Sequence, residues 1–196
     1  MGRPLAPATR PARFAYYDRL TADSKRTYRK SDRIERVMVP GIESLRALAE
    51  AIAPALQADD RRAVASACQA LVDALNERLE TPPVVVRVLE QRPADEESEL
   101  QGLYEPDEIT RGAARITVWM RTARKLQVVK FRTFLRTLVH EVVHHLDYEL
   151  YGLAETFHTQ GFYSRESLLM KELLGEFEER GEASAPPKPS RGRRGS

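Results

Sequence analysis

All four histidines of the chain fall in one short window, and the window opens with the pattern His-Glu-x-x-His. It reads Thr137-Leu-Val-His-Glu-Val-Val-His-His-Leu-Asp147, with Phe157-His158 a short way downstream. Phe131, Leu135, Leu138, Val142 and Leu146 recur through it at helical spacing, which predicts a helix from near Val129 to about Gly152. At about 100° per residue, His140 and His144 project from one face, one turn apart. The apolar positions lie opposite and can anchor the helix in a core. Whatever the chain folds into must bury one side of this helix and bring a further donor to the other.

Two imidazoles in that relation can reach one ion. A catalytic zinc takes three protein ligands and leaves a position for water. The metal lowers the pKa of that water towards about 7, and a carboxylate then takes its proton. His140 and His144 are therefore predicted ligands of Zn2+, with Glu141 the general base. The third ligand must come from elsewhere. His158 is the first choice, because a loop over 152–157 can return the chain and imidazole is a preferred ligand; Glu149, Glu155 and Glu166 are carboxylate alternatives. Asp147, one turn beyond His144, suits a hydrogen bond that fixes a histidine tautomer. His145 points away and reads as a structural or surface residue.

The rest of the chain reads as scaffold. Its 196 residues suffice for one core. Residues 41–57 read as an amphipathic helix with a kink or early end at Pro54. A second helix, capped by Asp59 or Asp60, carries the stripe Val64, Cys68, Leu71, Val72, Leu75 and Leu79 and stops at Pro82-Pro83. Val84–Leu89 reads as a strand, the alternating Arg115–Met120 as a half-buried strand, and Glu99–Tyr104 as a weak strand or turn after an acidic loop at 94–99. A last helix is expected over 162–179. This order predicts an α+β fold, a short antiparallel or mixed sheet on the histidine helix, preceded by helices. Residues 37–180 form the expected domain. Residues 1–36 form a basic arm whose tyrosines pack back, with 1–13 loosely attached, and 181–196 a basic tail. Cys68 is the only cysteine, so no disulfide within the chain and no cysteine zinc cluster is possible. A reducing cytoplasm fits that usage. Met1–Arg13 has no apolar run of the secretory kind, and no stretch reaches the ~20 apolar residues of a membrane span.

With the downstream segment Phe157-His-Thr-Gln-Gly-Phe-Tyr-Ser-Arg165 added, the chain resembles zincin-type metallopeptidases. It is similar to the SprT-like group, and more closely to a family of uncharacterised bacterial predicted metallopeptidases. The similarity spans about 84–177 and is specific in 137–166. It implies His140, His144 and His158 as ligands and Glu141 as base. It also implies a strand, best placed at 115–120, beside the helix, whose edge takes an extended protein or peptide substrate. The Cys-rich zinc ribbon of many SprT-like proteins has no counterpart here. Tyr163 is weighed as a hydrogen-bond donor to an oxyanion against a packing tyrosine, which is favoured. Arg165 is weighed as a binder of a substrate carboxylate against a partner of Asp147 or Glu166, which is favoured, and Trp119 as a substrate platform against a core residue, which is favoured.

Charge is unevenly spread. Residues 1–36 hold ten Lys/Arg to four acids, 90–108 eight acids to one base, and 111–136 eight bases and no acid. Mutual pairing and solvated faces are the expected use. The competing use is an anionic partner such as nucleic acid, met by 10–36, 111–136 and the tail. A zinc-stabilised, non-catalytic interaction domain is the other alternative to a peptidase.

Overall fold

The computed structural model describes residues 14–92 and 101–176; the acidic loop at 94–99 and the tail fall outside them. After a 3-10 turn at Ala15–Arg19 come α1 (Ala22–Asp32), a second 3-10 turn at Ile42–Leu45, α2 (Arg46–Glu50), α3 (Ile52–Gln57) and α4 (Arg61–Leu79). Then follow β1 (Val84–Gln91), β2 (Gly102–Glu105), the short α5 (Asp107–Thr110), β3 (Ala114–Arg121), α6 (Phe131–Glu149) and α7 (Gln160–Leu173). The fold is α+β, with a three-stranded mixed sheet in the order β1-β3-β2.

The predicted helix at 41–57 is broken earlier than its proline. Pro54 has no N–H to give the Glu50 carbonyl, and its ring crowds that carbonyl. The chain bends at Ala51, and Pro54 falls in the first turn of α3, where no donor is needed. Asp60 caps α4 by accepting from the Arg62 and Ala63 amides at 2.9 and 3.0 Å, and Glu80 ends it in a left-handed turn. The predicted stripe of α4, Cys68 included, is buried. Thr159 caps α7, and Gly175 at positive φ follows it, so the last helix is shorter than the expected 162–179.

β3 pairs in parallel with β1 (Val86 opposite Ile116) and antiparallel with β2 (Gly102 opposite Val118). It is the central strand, and it is buried on both faces along nearly its whole length, Trp119 included, not half-buried as its alternation predicts. This corrects the expectation of a substrate-binding edge at 115–120: both edges of that strand are already paired. The outer edge of β1 is in turn covered by Gln69 of α4, which donates to the Val84 carbonyl (3.0 Å) and accepts from the Val86 amide (2.8 Å). That protects one side of the sheet. The remaining edge belongs to β2, and it faces the histidine helix.

α6 packs on β2 and β3 through Leu135, Leu138, Val142 and Leu146, all fully buried; Phe131, at its start, is partly buried. The described part of the N-terminal basic segment is folded. Tyr17, Tyr28 and Ser31 are buried, and α1 packs against α7. Four of the eight bases in the block at 111–136 are paired: Arg115 with Glu105, Arg121 with Asp59, Arg132 with Glu176 and Arg136 with Glu166. Among the described residues, no helix is long and apolar enough to cross a membrane.

Candidate metal centre

The Nε2 atoms of His140, His144 and His158 form a triangle with sides of 3.0, 3.1 and 3.2 Å. α6 supplies the first two, one turn apart. The loop after α6 brings in the third, just ahead of the Thr159 cap of α7. Phe162, fully buried, lies 4.7–5.0 Å from all three rings and forms the floor beneath them.

The hydrogen bonds behind the rings fix which nitrogens point inward. His140 Nδ1 lies 2.9 Å from the Glu166 carboxylate, which only accepts, so Nδ1 carries the proton and Nε2 a lone pair. His144 Nδ1 lies 2.8 Å from the Thr156 hydroxyl, whose own proton goes to Asp147 at 2.9 Å. The hydroxyl must therefore accept from Nδ1, and His144 Nε2 is also bare. At least two lone pairs thus converge within about 3 Å, which is repulsive unless a cation stands among them. A tetrahedral zinc with bonds of 2.0–2.1 Å holds its nitrogen ligands about 3.3 Å apart. The donor set fits such an ion, and the three histidines can hold a metal.

The electrostatics agree. Burial lowers the pKa of His144 and His158, helped in each by His140 nearby, so both rings favour the neutral form that ligates. Burial raises Glu166, but the His140 hydrogen bond and Arg136 outweigh it, and the carboxyl lies below its ordinary value. Glu141 is different. Burial pushes its carboxyl up to about 7, against the pull of His140 and of the Tyr104 amide, which donates to it.

Glu141 is held by β2. A Cβ on Gly102 would sit 2.7 Å from its Cγ and 2.8 Å from its Cδ, so only glycine allows the carboxylate to lie this close to the strand. His145 secures the same strand from behind. It is fully buried, gives Nε2–H to the Pro82 carbonyl (3.1 Å) and accepts the Tyr104 hydroxyl at Nδ1 (3.3 Å). It is structural, not a ligand. Of the carboxylates weighed as ligands, Glu166 stands behind His140, and Glu155 accepts from Ser24 (2.7 Å). Glu149, at the end of α6, does not join the cluster.

Asp147 pairs with Arg165 at 2.7 Å, both fully buried, and reaches His144 through Thr156. Thr156 was not singled out in the sequence; its position two residues before His158 was the available sign. Gly102, in a segment read only as a weak strand, was missed for the same lack of pattern.

The centre opens into a cleft of about 770 Å³ lined by Gln101–Tyr104, Ile109, Arg136, Glu141 and Tyr163 among others. Tyr163 is 40 % exposed, its ring stacked 5.8 Å from His158 and packed on Phe14 (5.9 Å) and Phe162 (5.7 Å). Ile109 is 67 % exposed. No protein-family model, curated protein or solved structure matches this chain.

Proposed function

We propose that the protein is a zinc-dependent peptidase of zincin type, similar to SprT-like proteins, acting on an extended protein or peptide segment. The observation that carries this reading is the convergence of three imidazole Nε2 atoms beside a buried glutamate, at the mouth of a cleft lined by β2. Bound at the three imidazoles, zinc supplies a Lewis acid that brings the pKa of water towards about 7.

The chain's own groups do the rest. Glu141, with a carboxyl poised near neutrality, accepts the proton of the attacking water and returns it to the leaving amine. Glu166 and the Thr156–Asp147–Arg165 relay keep His140 and His144 in the tautomers that present Nε2. An extended backbone laid along β2 gains strand hydrogen bonds there. Tyr163, exposed beside His158, is the phenol assigned to the developing oxyanion.

Metal content tests the ligand set first. Full-length protein purified without chelator is expected to carry stoichiometric zinc, and His158→Ala to lose most of it while remaining folded by circular dichroism. Wild type without bound metal rules the proposal out.

Gly102→Ala probes the seat of Glu141. Its new methyl must displace the carboxylate, because the strand behind it is fixed by β3 and His145. Zinc content should stay unchanged while kcat falls by about a hundredfold, the scale of an ångström-sized misplacement. Wild-type kcat in this variant would mean that the position of Glu141 is immaterial.

A further inference from the structure

The N-terminal segment touches the metal centre at more places than a scaffold helix needs to. Tyr16 donates its hydroxyl to the carbonyl of His158 itself (3.1 Å). Tyr16 and Tyr28 form a three-ring cluster with Phe157, their ring centroids 6.4 and 6.0 Å from it and 6.0 Å from each other. Ser24 donates to Glu155 (2.7 Å), and Lys30 to the Tyr151 carbonyl (2.7 Å). Arg165 donates to the Ser31 carbonyl (2.8 Å) with the same guanidinium that holds Asp147, the acceptor of the Thr156 hydroxyl behind His144. The loop at 151–159 that delivers Thr156 and His158 is therefore gripped from residues 14–34 at Tyr151, Glu155, Phe157 and His158.

The same segment stands apart from the main core. Among the described residues the apolar core cluster begins at Val37, and the aromatic rings of 14–34 form a satellite cluster with Phe157 and Tyr163. A unit joined to its neighbours by a satellite cluster and polar contacts can open at a lower free energy than the core. The closest contact is at Gly161, where an added Cβ would lie 2.6 Å from the backbone oxygens of both Ser31 and Asp32.

We infer that residues 14–34 are a detachable positioning element of the metal centre: docked, they hold the 151–159 loop so that His158 meets His140 and His144; undocked, they release that corner while the core stays folded. Access of metal to the site is then set by docking of the N-terminal helix. The inference rests on the zinc reading above, and its test separates the two.

Full-length wild type, Gly161→Ala and Tyr16→Phe are compared by zinc titration against a chromophoric chelator and by amide hydrogen exchange. The Gly161 methyl acts as a wedge under α1; Tyr16→Phe removes one hydroxyl and leaves the fold unthreatened. Zinc affinity is expected to fall about tenfold in Gly161→Ala, the lower end of losses from residues that support ligands, and about threefold in Tyr16→Phe. Exchange should quicken over 22–34 and 151–159, while β3 and the first half of α6 keep wild-type protection. Zinc binding insensitive to both substitutions overturns the inference and leaves the peptidase reading standing. Loss of protection in β3 in step with α1 overturns it too, since the segment is then inseparable from the core. Wild type that binds no zinc removes both.

Discussion

Glu141→Gln is expected to keep stoichiometric zinc and to lower peptide hydrolysis about a thousandfold. Glutamine matches glutamate in shape. Its carbonyl can still accept the Tyr104 amide and lie against Gly102, so the cleft should be unchanged. What it lacks is a site for the water's proton. General-base contributions run to about 10²–10⁴-fold, and a buried carboxyl brought near neutrality is tuned for that task. Single-turnover cleavage of an unfolded protein substrate, read beside metal content, checks it. Wild-type turnover would remove Glu141 as the base. Loss of zinc together with activity would place the carboxylate among the ligands, contrary to the three-imidazole triangle.

The helix carrying the site was legible because its chemistry and its packing share one period. Leu135, Leu138, Val142 and Leu146 mark the buried face at helical spacing, and His140 and His144 mark the other. The β-branched run Val84–Leu89 and the alternation over Arg115–Met120 likewise announced strands, each longer by two residues in the fold. Their places in the sheet were not legible. Alternation reports which faces of a strand are covered, whereas edge or centre depends on partners, and β3 owes its central place to β1 on one side and β2 on the other. The ligand supports were hidden for a similar reason. Glu166 behind His140 and Thr156 behind His144 lie 26 and 12 residues away in the chain, and no local period records such pairings. Composition obscured the N-terminal segment. It reads as a basic arm whose tyrosines pack back, and Tyr16 and Tyr28 do pack on Phe157, but which residues they meet was not legible.

Arg165 should be the most costly side chain to remove for stability. It is fully buried and holds Asp147 at 2.7 Å, the Ser31 carbonyl at 2.8 Å and the Ser31 hydroxyl at 3.1 Å, with the Ile34 carbonyl as a further acceptor. Burial pushes the Asp147 carboxyl upward, and Arg165 with the Thr156 hydroxyl pulls against it. Arg165→Met removes the cation from that carboxylate, leaving it only the Thr156 hydroxyl, and takes one donor each from the Ser31 and Ile34 carbonyls. Breaking a buried pair from one side costs about 3–5 kcal/mol. Lysine should not rescue it, because one ammonium cannot span Asp147 and both carbonyls as the planar guanidinium does. The double change Arg165→Met with Asp147→Leu removes the stranded charge and should recover part of the loss in urea unfolding at unchanged m. Zinc affinity should not recover with it, because the Thr156 hydroxyl has then lost the acceptor that obliges it to receive the His144 proton. A single variant within about 1 kcal/mol of wild type would make the pair a bystander. Recovery of zinc affinity in the double variant would show that His144 is oriented by α6 alone.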